Sequence, residues 1–343
     1  VSIMDLDSGA LRARVAAERE PVDAVVTPDG STVLVVNHLP NTRTDADYAG
    51  SVSPVVTVID VATGQTGEIE MPSGSNGLRE ITIAPDGKVA YVPHVLSNFD
   101  RTPSQVEMGW TNLNVLSVLD IEDRSVRTTV GLDDLFQGVG NPWAVTTCDG
   151  GRTICVSHAG TNELTLIDAR SLSDTPSRPY LSPLVAGLRE YAESDTPSKR
   201  RMTLPGQGPR ALAVFESRIY VAEYFSDTIS VVDLRKGMDA DVRTIALGPP
   251  PRMDARRRGE WLFHSALICY QHWQSCATCH PDGRVDALNW DLLNDGIGTF
   301  KNTKSLLLAH QTPPSMAEGV RPTAEAAVRS GLGHILFAER PEE

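Results

Sequence analysis

A short apolar strand pattern that ends in aspartate recurs through about the first 250 residues, and this repeat constrains the fold more than any other feature. Each copy alternates apolar and polar residues, as half-buried strands do, and the first copies lead into polar turns. The copies read Val1-Ser-Ile-Met-Asp-Leu6, Val56-Thr-Val-Ile-Asp-Val61, Leu116-Ser-Val-Leu-Asp-Ile121, Leu164-Thr-Leu-Ile-Asp-Ala169 and Ile229-Ser-Val-Val-Asp-Leu234. Self-similarity of this kind indicates a repeat architecture.

A second block lies between these copies and predicts a hairpin in each unit. It begins at Ala24, Ile81 and Ala144, and a degenerate copy begins at Ala211. The first two copies join their apolar runs through Pro-Asp-Gly, a sequence that favours a tight turn between two strands. Four strands in each unit of about 48 to 65 residues predict the blades of a β-propeller.

The repeats resemble the YVTN family of β-propellers, whose repeat includes a Pro-Asp-Gly turn, a Tyr-Val-Ala-Asn stretch and a Val-Ile-Asp strand. Tyr220-Val-Ala-Glu223 and Tyr91-Val-Pro-His94 are degenerate copies of the second element, and the resemblance covers about residues 1–248. Propellers of that family typically have about seven blades. This chain opens on the third strand of a blade and then supplies four blades. We therefore expect missing blades upstream of Val1 or on another chain, with a small closed ring as the alternative.

Long polar insertions predict surface loops over 39–54, 95–114 and 173–199. Three histidines follow the second strand of successive blades, and the fourth blade has Glu223 there; the histidines are His38, His94 and His158. Such side chains could converge on a metal ion or on a docking surface for the next domain. Because blades diverge around a ring, the pattern favours residues of the repeat that bind no ligand.

The character of the chain changes after Gly248, where prolines and arginines predict a linker over 249–258. A helix start then leads into Cys276-Ala-Thr-Cys-His280. Two thiols at this spacing reach the two vinyl groups on one edge of a porphyrin, and the adjoining histidine ligates the iron. The motif predicts one covalently bound haem c per chain, held by Cys276 and Cys279, with His280 as the proximal ligand of the haem iron.

Two other chemistries use closely spaced cysteines. Zinc could be held by Cys269, Cys276, Cys279 and His280, but the adjacent Cys279 and His280 are poorly placed to grip one tetrahedral ion. Thioredoxin-like redox chemistry would need a βαβ setting, which the pattern lacks. The fold class is therefore expected to be mainly β, with a β-propeller over 1–248 and a small, mainly α cytochrome c domain over 259–343.

The C-terminal residues resemble the first haem domain of bacterial dihaem cytochrome c peroxidases over about 256–338. Two sequence elements carry the resemblance, the first through Asn302 and Ser305 and the second, loosely, through Glu318, Gly319 and Arg321. The second element has Ala317 where the family has tryptophan. The chain has one Cys-x-x-Cys-His motif, whereas the family has a second haem domain with its own.

The resemblance implies an extracytoplasmic c-type haem redox protein that is peroxidase-like and uses the propeller as a docking scaffold. Glu325 falls on that family's distal acid and would be the catalytic acid/base beside a five-coordinate iron. The alternative is a non-catalytic electron-transfer subunit of a larger complex, with a six-coordinate iron. Its distal ligand would be His310, Met316 or His334. Either function implies a redox partner protein or a second haem domain.

Composition limits the remaining partners and the location. The net charge of −13 argues against nucleic acid or anionic lipid as a partner. No apolar run is long enough to span a bilayer. Haem c predicts a periplasmic or otherwise extracytoplasmic location.

Three cysteines lie outside the haem motif. Cys148 and Cys155 flank the turn Asp149-Gly-Gly-Arg152 between two strand-like runs. They could form a disulfide in an oxidising compartment, and two unrelated buried thiols are the alternative. Cys269 is expected to be buried beside the haem segment.

Overall fold

The computed structural model describes residues 1–41, 51–99, 111–134, 136–173, 198–235, 241–291 and 300–338. In these ranges the chain is mainly β, and four antiparallel sheets of four or five strands follow one another along the sequence. A two-stranded sheet precedes them, formed by β1 (Ser2–Met4) and β2 (Leu11–Arg14). This propeller-like order confirms the prediction from the repeats, with half a blade first and four blades after it.

The four sheets are called the first to fourth blades. The first blade consists of β3 (Pro21–Val26), β4 (Thr32–Asn37), β5 (Val55–Asp60) and β6 (Thr66–Glu70). In the second, two short strands pair with one long neighbour: β7 (Ser75–Asn76), β8 (Thr82–Ile83), β9 (Val89–Ser97), β10 (Asn112–Asp120) and β11 (Ser125–Gly131).

The last two blades have four strands each, paired in sequence order. The third blade consists of β12 (Pro142–Cys148), β13 (Thr153–His158), β14 (Glu163–Asp168) and β15 (Lys199–Thr203), and the helical turn α1 (Arg170–Ser173) follows β14. The fourth consists of β16 (Pro209–Phe215), β17 (Arg218–Glu223), β18 (Thr228–Asp233) and β19 (Val242–Ala246).

The aspartate that ends each repeat closes the turn after the third strand of a blade. Asp60 Oδ1 accepts hydrogen bonds from the backbone N–H and the hydroxyl of Thr63, both at 2.7 Å. Asp233 Oδ1 accepts from the backbone N–H of Arg235 at 3.1 Å. Short acidic side chains stabilise turns in this way, which explains why the strand pattern ends in aspartate.

Consecutive blades pack face to face, so the apolar core lies in layers between them. The layer between the first and second blades includes Leu34, Val36, Val92 and Leu119. Between the second and third blades lie Leu116, Val118, Ile154 and Val156. Between the third and fourth blades lie Leu164, Leu166, Ile219 and Val221. Strands β1 and β2 cover the first blade through Ile3 and Ala13.

Residues 255–338, called the C-terminal segment, correct the prediction of a separate, mainly α domain. Its described helices are α2 (Ala255–His264), α3 (Cys276–Cys279) and α4 (Ala324–His334), and its strands are β20 (Asn289–Trp290) and β21 (Lys301–Asn302). Neither α2 nor α4 has a fully buried residue, so the two longer helices enclose no core of their own. Instead Leu288 and Trp290 pack with Val52 and Phe99 of the propeller.

The predicted boundaries at 248 and 258 stay predictions, although α2 begins inside the expected linker, after its N-cap Asp254. Most of the three predicted surface loops lies outside the described residues, at 42–50, 100–110 and 174–197. Among the described helices, none combines the length and the apolar character that a membrane crossing needs.

Candidate haem-attachment site

The Cys276–Cys279 helix is short and capped at both ends. Ser275 Oγ accepts from the backbone N–H of Ala277 at 3.1 Å, and the hydroxyl of Thr278 accepts from the backbone N–H of Ser275 at 3.0 Å. At the other end the backbone N–H of His280 donates to the carbonyl of Cys276 at 3.0 Å. This capping box fixes one helical turn, which places both cysteines and the histidine in one rigid unit.

The asparagine directly before the third blade, Asn141, holds this unit against the propeller. Asn141 donates to Ser275 Oγ at 2.7 Å and accepts from the hydroxyl of Thr278 at 3.0 Å. It also donates to the carbonyl of His264 at 2.8 Å, at the end of α2. The amide thus satisfies both residues of the capping box and the preceding helix end, so the propeller determines where the motif lies.

Two further asparagines of the second blade anchor the approach to the motif. Asn112 donates to Gln274 Oε1 at 2.5 Å, and Asn114 donates to the carbonyl of Trp273 at 3.1 Å. Sequence reasoning missed these contacts, as it missed Asn141. The available signal was a pair of amide side chains in an otherwise apolar strand, since buried amides need hydrogen-bond partners.

His280 is oriented by the chain that follows it. Its Nδ1 lies 2.9 Å from the carbonyl oxygen of Lys304, so the tautomer with a proton on Nδ1 donates there and carries its lone pair on Nε2. Burial lowers the pKa of His280, which favours the neutral imidazole. Histidines that ligate metals are commonly oriented by such a bond from the other ring nitrogen.

The two cysteines of the motif have different surroundings. Cys279 touches the apolar cluster that includes Leu288 and Trp290, and burial with the nearby Asp286 carboxylate raises the pKa of its thiol. Burial raises the pKa of Cys276 to about 11. Both thiols are therefore protonated at neutral pH, so neither has the lowered pKa of a redox-active cysteine.

Apolar side chains lie exposed beside His280. The backbone N–H of Leu306 donates to the carbonyl of Gly283 at 2.9 Å, so residues 304–308 run alongside 280–283. Leu306, Leu307 and Leu308, called the leucine strip, are 37%, 53% and 61% exposed. Three consecutive exposed leucines form a surface that favours an apolar partner.

The predicted distal residues lie on the surface of the C-terminal segment. Met316 is 40% exposed, and His310, His334 and Glu325 are also exposed. Glu325 is in the first turn of α4, where hydrogen bonds from its own backbone and from Thr323 lower its pKa. His310 lies close enough to Glu325 to contribute to this lowering. Their predicted roles at a haem stay predictions.

The histidines of the propeller do not converge on one point. His94 Nε2 lies 2.8 Å from the hydroxyl of Ser117, and His158 Nε2 lies 2.7 Å from that of Thr165. Each therefore pairs with the third strand of its own blade. Among the described residues, no three His, Cys, Asp or Glu side chains come together to hold a metal ion. Cys269, Cys276, Cys279 and His280 are among these described residues and form no such group.

The strand register shows that His38 is not the repeat equivalent of His94 and His158. That place belongs to Asn37, whose amide donates to Thr57 Oγ1 at 2.8 Å. His38 instead donates from Nδ1 to the carbonyl of Leu78 at 2.7 Å, and its Nε2 lies 3.9 Å from Asp282. Burial and the neighbouring Arg79 lower the pKa of His38 to about 4.

The Asp282 carboxylate links the turn after His280 to the propeller. Arg79, which precedes β8 of the second blade, approaches Asp282 at 3.2 Å. The side chain of Arg79 is 15% exposed and that of Asp282 is 54% exposed. This ion pair and the buried His38 beneath it form a second contact between the propeller and the haem motif.

No family model matches the chain. It is 23% identical over 238 residues to hydrazine synthase subunit beta of Kuenenia stuttgartiensis, a match that covers 66% of this chain and 58% of that protein. A match to hydrazine synthase subunit gamma of the same organism is 37% identical over 71 residues and covers 20% of each chain. The chain thus spans less than two thirds of the length of these curated relatives.

A solved structure of hydrazine synthase from Kuenenia stuttgartiensis is similar in fold. Its TM-score is 0.53 at 20% identity, over 72% of this chain and 65% of that chain. At this identity the likeness shows the fold alone, which is propeller-like.

These comparisons correct the predicted function. The relatives found are subunits of hydrazine synthase and not cytochrome c peroxidases, so the predicted peroxidase-like function is wrong. Its electron-transfer alternative is not retained either. The relatives are named as subunits, which is consistent with the prediction that this chain is part of a larger complex.

Proposed function

We propose that this chain is a haem-bearing propeller subunit of a multi-subunit enzyme similar to hydrazine synthase. The match to subunit beta supports the assignment to such a complex, because it extends over 238 residues and 66% of this chain. The relatives' activity, which their names give as hydrazine synthesis, is the activity we propose for the assembled complex. This chain would contribute a scaffold and one prosthetic group to it.

The observation that carries the proposal is the capped helix Cys276–Cys279 followed by the oriented His280. In this arrangement the two thiols would form thioether bonds to the haem, and His280 Nε2 would bind the iron. The Lys304 carbonyl would hold the imidazole plane in place through Nδ1. A haem there supplies an iron centre for redox or ligand-binding chemistry.

The apolar surroundings of His280 also fit a porphyrin. The leucine strip would lie against the macrocycle, which would remove these side chains from water. Covering apolar surface contributes about 25 cal/mol for each Å². If the iron takes a second protein ligand, His310, Met316 and His334 are our candidates; all three are exposed and belong to the same segment as His280.

The proposed cofactor also bears on location and partners. Since we propose covalent haem, we also propose a periplasmic or otherwise extracytoplasmic location for this chain. A haem domain or redox protein within the same complex would be the partner of this haem. The docking residues Asn112, Asn141 and Asp282 would keep the haem at a defined place on the propeller.

Covalent haem can be tested on a denaturing gel. The full chain is co-expressed with a cytochrome c maturation system, and haem is detected by peroxidase staining of the separated band and by the pyridine haemochrome spectrum. We expect one haem for each wild-type chain. Cys276→Ala and Cys279→Ala should each reduce the covalent haem by about tenfold or more, because one thioether bond is lost and attachment becomes inefficient.

Cys269→Ala is the matched control. Cys269 is a buried thiol seven residues before the motif, and its loss should leave haem staining unchanged. A wild-type band without haem, from cells that load haem onto a known cytochrome c, would contradict the proposal.

A further inference from the structure

Two cysteines outside the haem motif face each other inside the third blade. Cys148 ends β12 and pairs in register with Thr153, whereas Cys155 on β13 pairs with Thr146. The cysteines are therefore diagonal neighbours on the same face of a two-strand ladder. Their sulfur atoms are 3.2 Å apart, about 1.2 Å more than the ~2.04 Å length of a disulfide bond.

The pair lies in the apolar layer between the third and fourth blades. Cys148 is 3% exposed and Cys155 is fully buried, and the layer around them includes Leu164, Leu166 and Val221. The hydrogen bond with Cys148, followed by burial, raises the pKa of Cys155 well above its ordinary value. In the folded chain the Cys155 thiol is thus a poor nucleophile, and burial keeps solvent oxidants from both sulfur atoms.

We propose that Cys148 and Cys155 are a disulfide site that joins β12 to β13 across their turn. The reaction is exchange with a small-molecule disulfide such as oxidised glutathione, or with an oxidised thiol–disulfide oxidoreductase. One cysteine thiolate attacks the oxidant's S–S bond to form a mixed disulfide and release one thiol. The second cysteine then displaces the other thiol. The chain loses two protons and two electrons in all, and the oxidant takes them up to become two thiols.

Burial determines when the bond forms. The turn between the strands contains Gly150 and Gly151, both at positive φ, and Cys148 and Cys155 are close in sequence, so the hairpin can form early. The thiols are accessible to an oxidant only before the fourth blade covers them. We therefore expect fast oxidation during folding, very slow oxidation of the folded dithiol, and resistance of the finished bond to external reductant.

Peptide mapping after refolding tests the proposal directly. The full chain is refolded in a mixture of oxidised and reduced glutathione, free thiols are alkylated under denaturing conditions, and the chain is digested with trypsin without reductant. Cleavage at Arg127, Arg152 and Arg170 places Cys148 in 128–152 and Cys155 in 153–170, each as the only cysteine of its peptide. We expect these peptides joined, with the mass of their sum less two hydrogens.

Three variants distinguish a disulfide bond between Cys148 and Cys155 from a contact between two free thiols. Cys148→Ser and Cys155→Ser should each lower the Tm of the oxidised chain by about 2–5 °C, while the reduced forms differ less. Cys269→Ser is the control: it retains both cysteines of the pair, so its Tm should differ between oxidised and reduced buffer as much as that of wild type. If a serine variant does not fold, the tryptic peptide map of the wild-type chain still shows whether the disulfide forms. Full alkylation of both cysteines after oxidative refolding, or only mixed disulfides with glutathione, would overturn the proposal.

Discussion

One position of the repeat carries a buried polar residue in all four blades, and its identity changes from blade to blade. The residues are Asn37, His94, His158 and Glu223. Each bonds to a hydroxyl on the third strand of its own blade, as His94 does to Ser117 and Glu223 to Ser230 at 2.7 Å. This position of the repeat therefore requires a side chain that can hydrogen-bond within the blade, and not one particular residue type.

The histidine at this position in the second blade should make the chain sensitive to acid. Burial lowers the pKa of His94 to about 4 from its model-peptide value of 6.5. Between these values the unfolded chain takes up a proton and the folded chain does not, so stability is complete above pH 6.5 and is lost as the pH falls towards 4. From about pH 7 to pH 5 this histidine should cost about 2 kcal/mol.

The measurement is the free energy of unfolding in urea at these two pH values. His94→Gln should be less stable than wild type at neutral pH, because it loses the bond to Ser117, but its stability should fall less on acidification. His310→Gln changes an exposed histidine and should keep the wild-type pH dependence. Equal pH dependence in His94→Gln and wild type would show that burial does not control this ionisation.

At the scale of elements, the C-terminal segment stays on the propeller because three glycines let backbones approach closely. A Cβ on Gly138 would lie 2.6 Å from Trp273 Cα and 2.7 Å from the carbonyl oxygen of His272. Gly140 and Gly160 make similar approaches to Ala266. The obstructing atoms are mostly backbone atoms or a Cβ, which cannot rotate away, so a methyl group there must push the segment outwards.

Gly138→Ala should therefore loosen the segment, at a cost of about 1–3 kcal/mol. Trypsin should cut faster at Arg256, Arg257 and Arg258 in α2, and the chain should melt at a lower temperature. Gly248→Ala is the control, because a Cβ at Gly248 would meet nothing within 4 Å. If both variants are cut at the wild-type rate, the segment does not depend on this close approach.

The blades were predictable because their information is local. The alternation before Asp60, the turn that Asp60 closes and the following strand all lie between Val55 and Glu70. The docking of the C-terminal segment was not predictable, because Asn141 meets Ser275 and Gly138 meets Trp273 across more than 130 positions. The sequence wrongly grouped His38 with His94 and His158 for a similar reason. The position is defined by the register between the second and third strands of the blade, and that register places Asn37 there.

At the scale of the whole molecule, one face of the fourth blade is not covered by another of the described blades. On the fourth blade, Leu212, Val214 and Ile219 pack against the third blade. The opposite face carries Phe215, Ile245 and Leu247, which are 65%, 38% and 63% exposed. Between consecutive blades such apolar residues are buried. The exposed face of the fourth blade therefore resembles a surface that packs against another blade.

An acidic substitution on that face should weaken association of the chain with itself or with a further subunit. Burial of a phenylalanine side chain contributes about 1.5–3 kcal/mol, so Phe215→Asp should weaken the association by about tenfold or more. Phe136→Asp is the matched control, because Phe136 is 61% exposed on a turn outside the sheet. Sedimentation velocity over a concentration series measures both variants against wild type. The same concentration dependence in all three would mean that the exposed face of the fourth blade is not an interface.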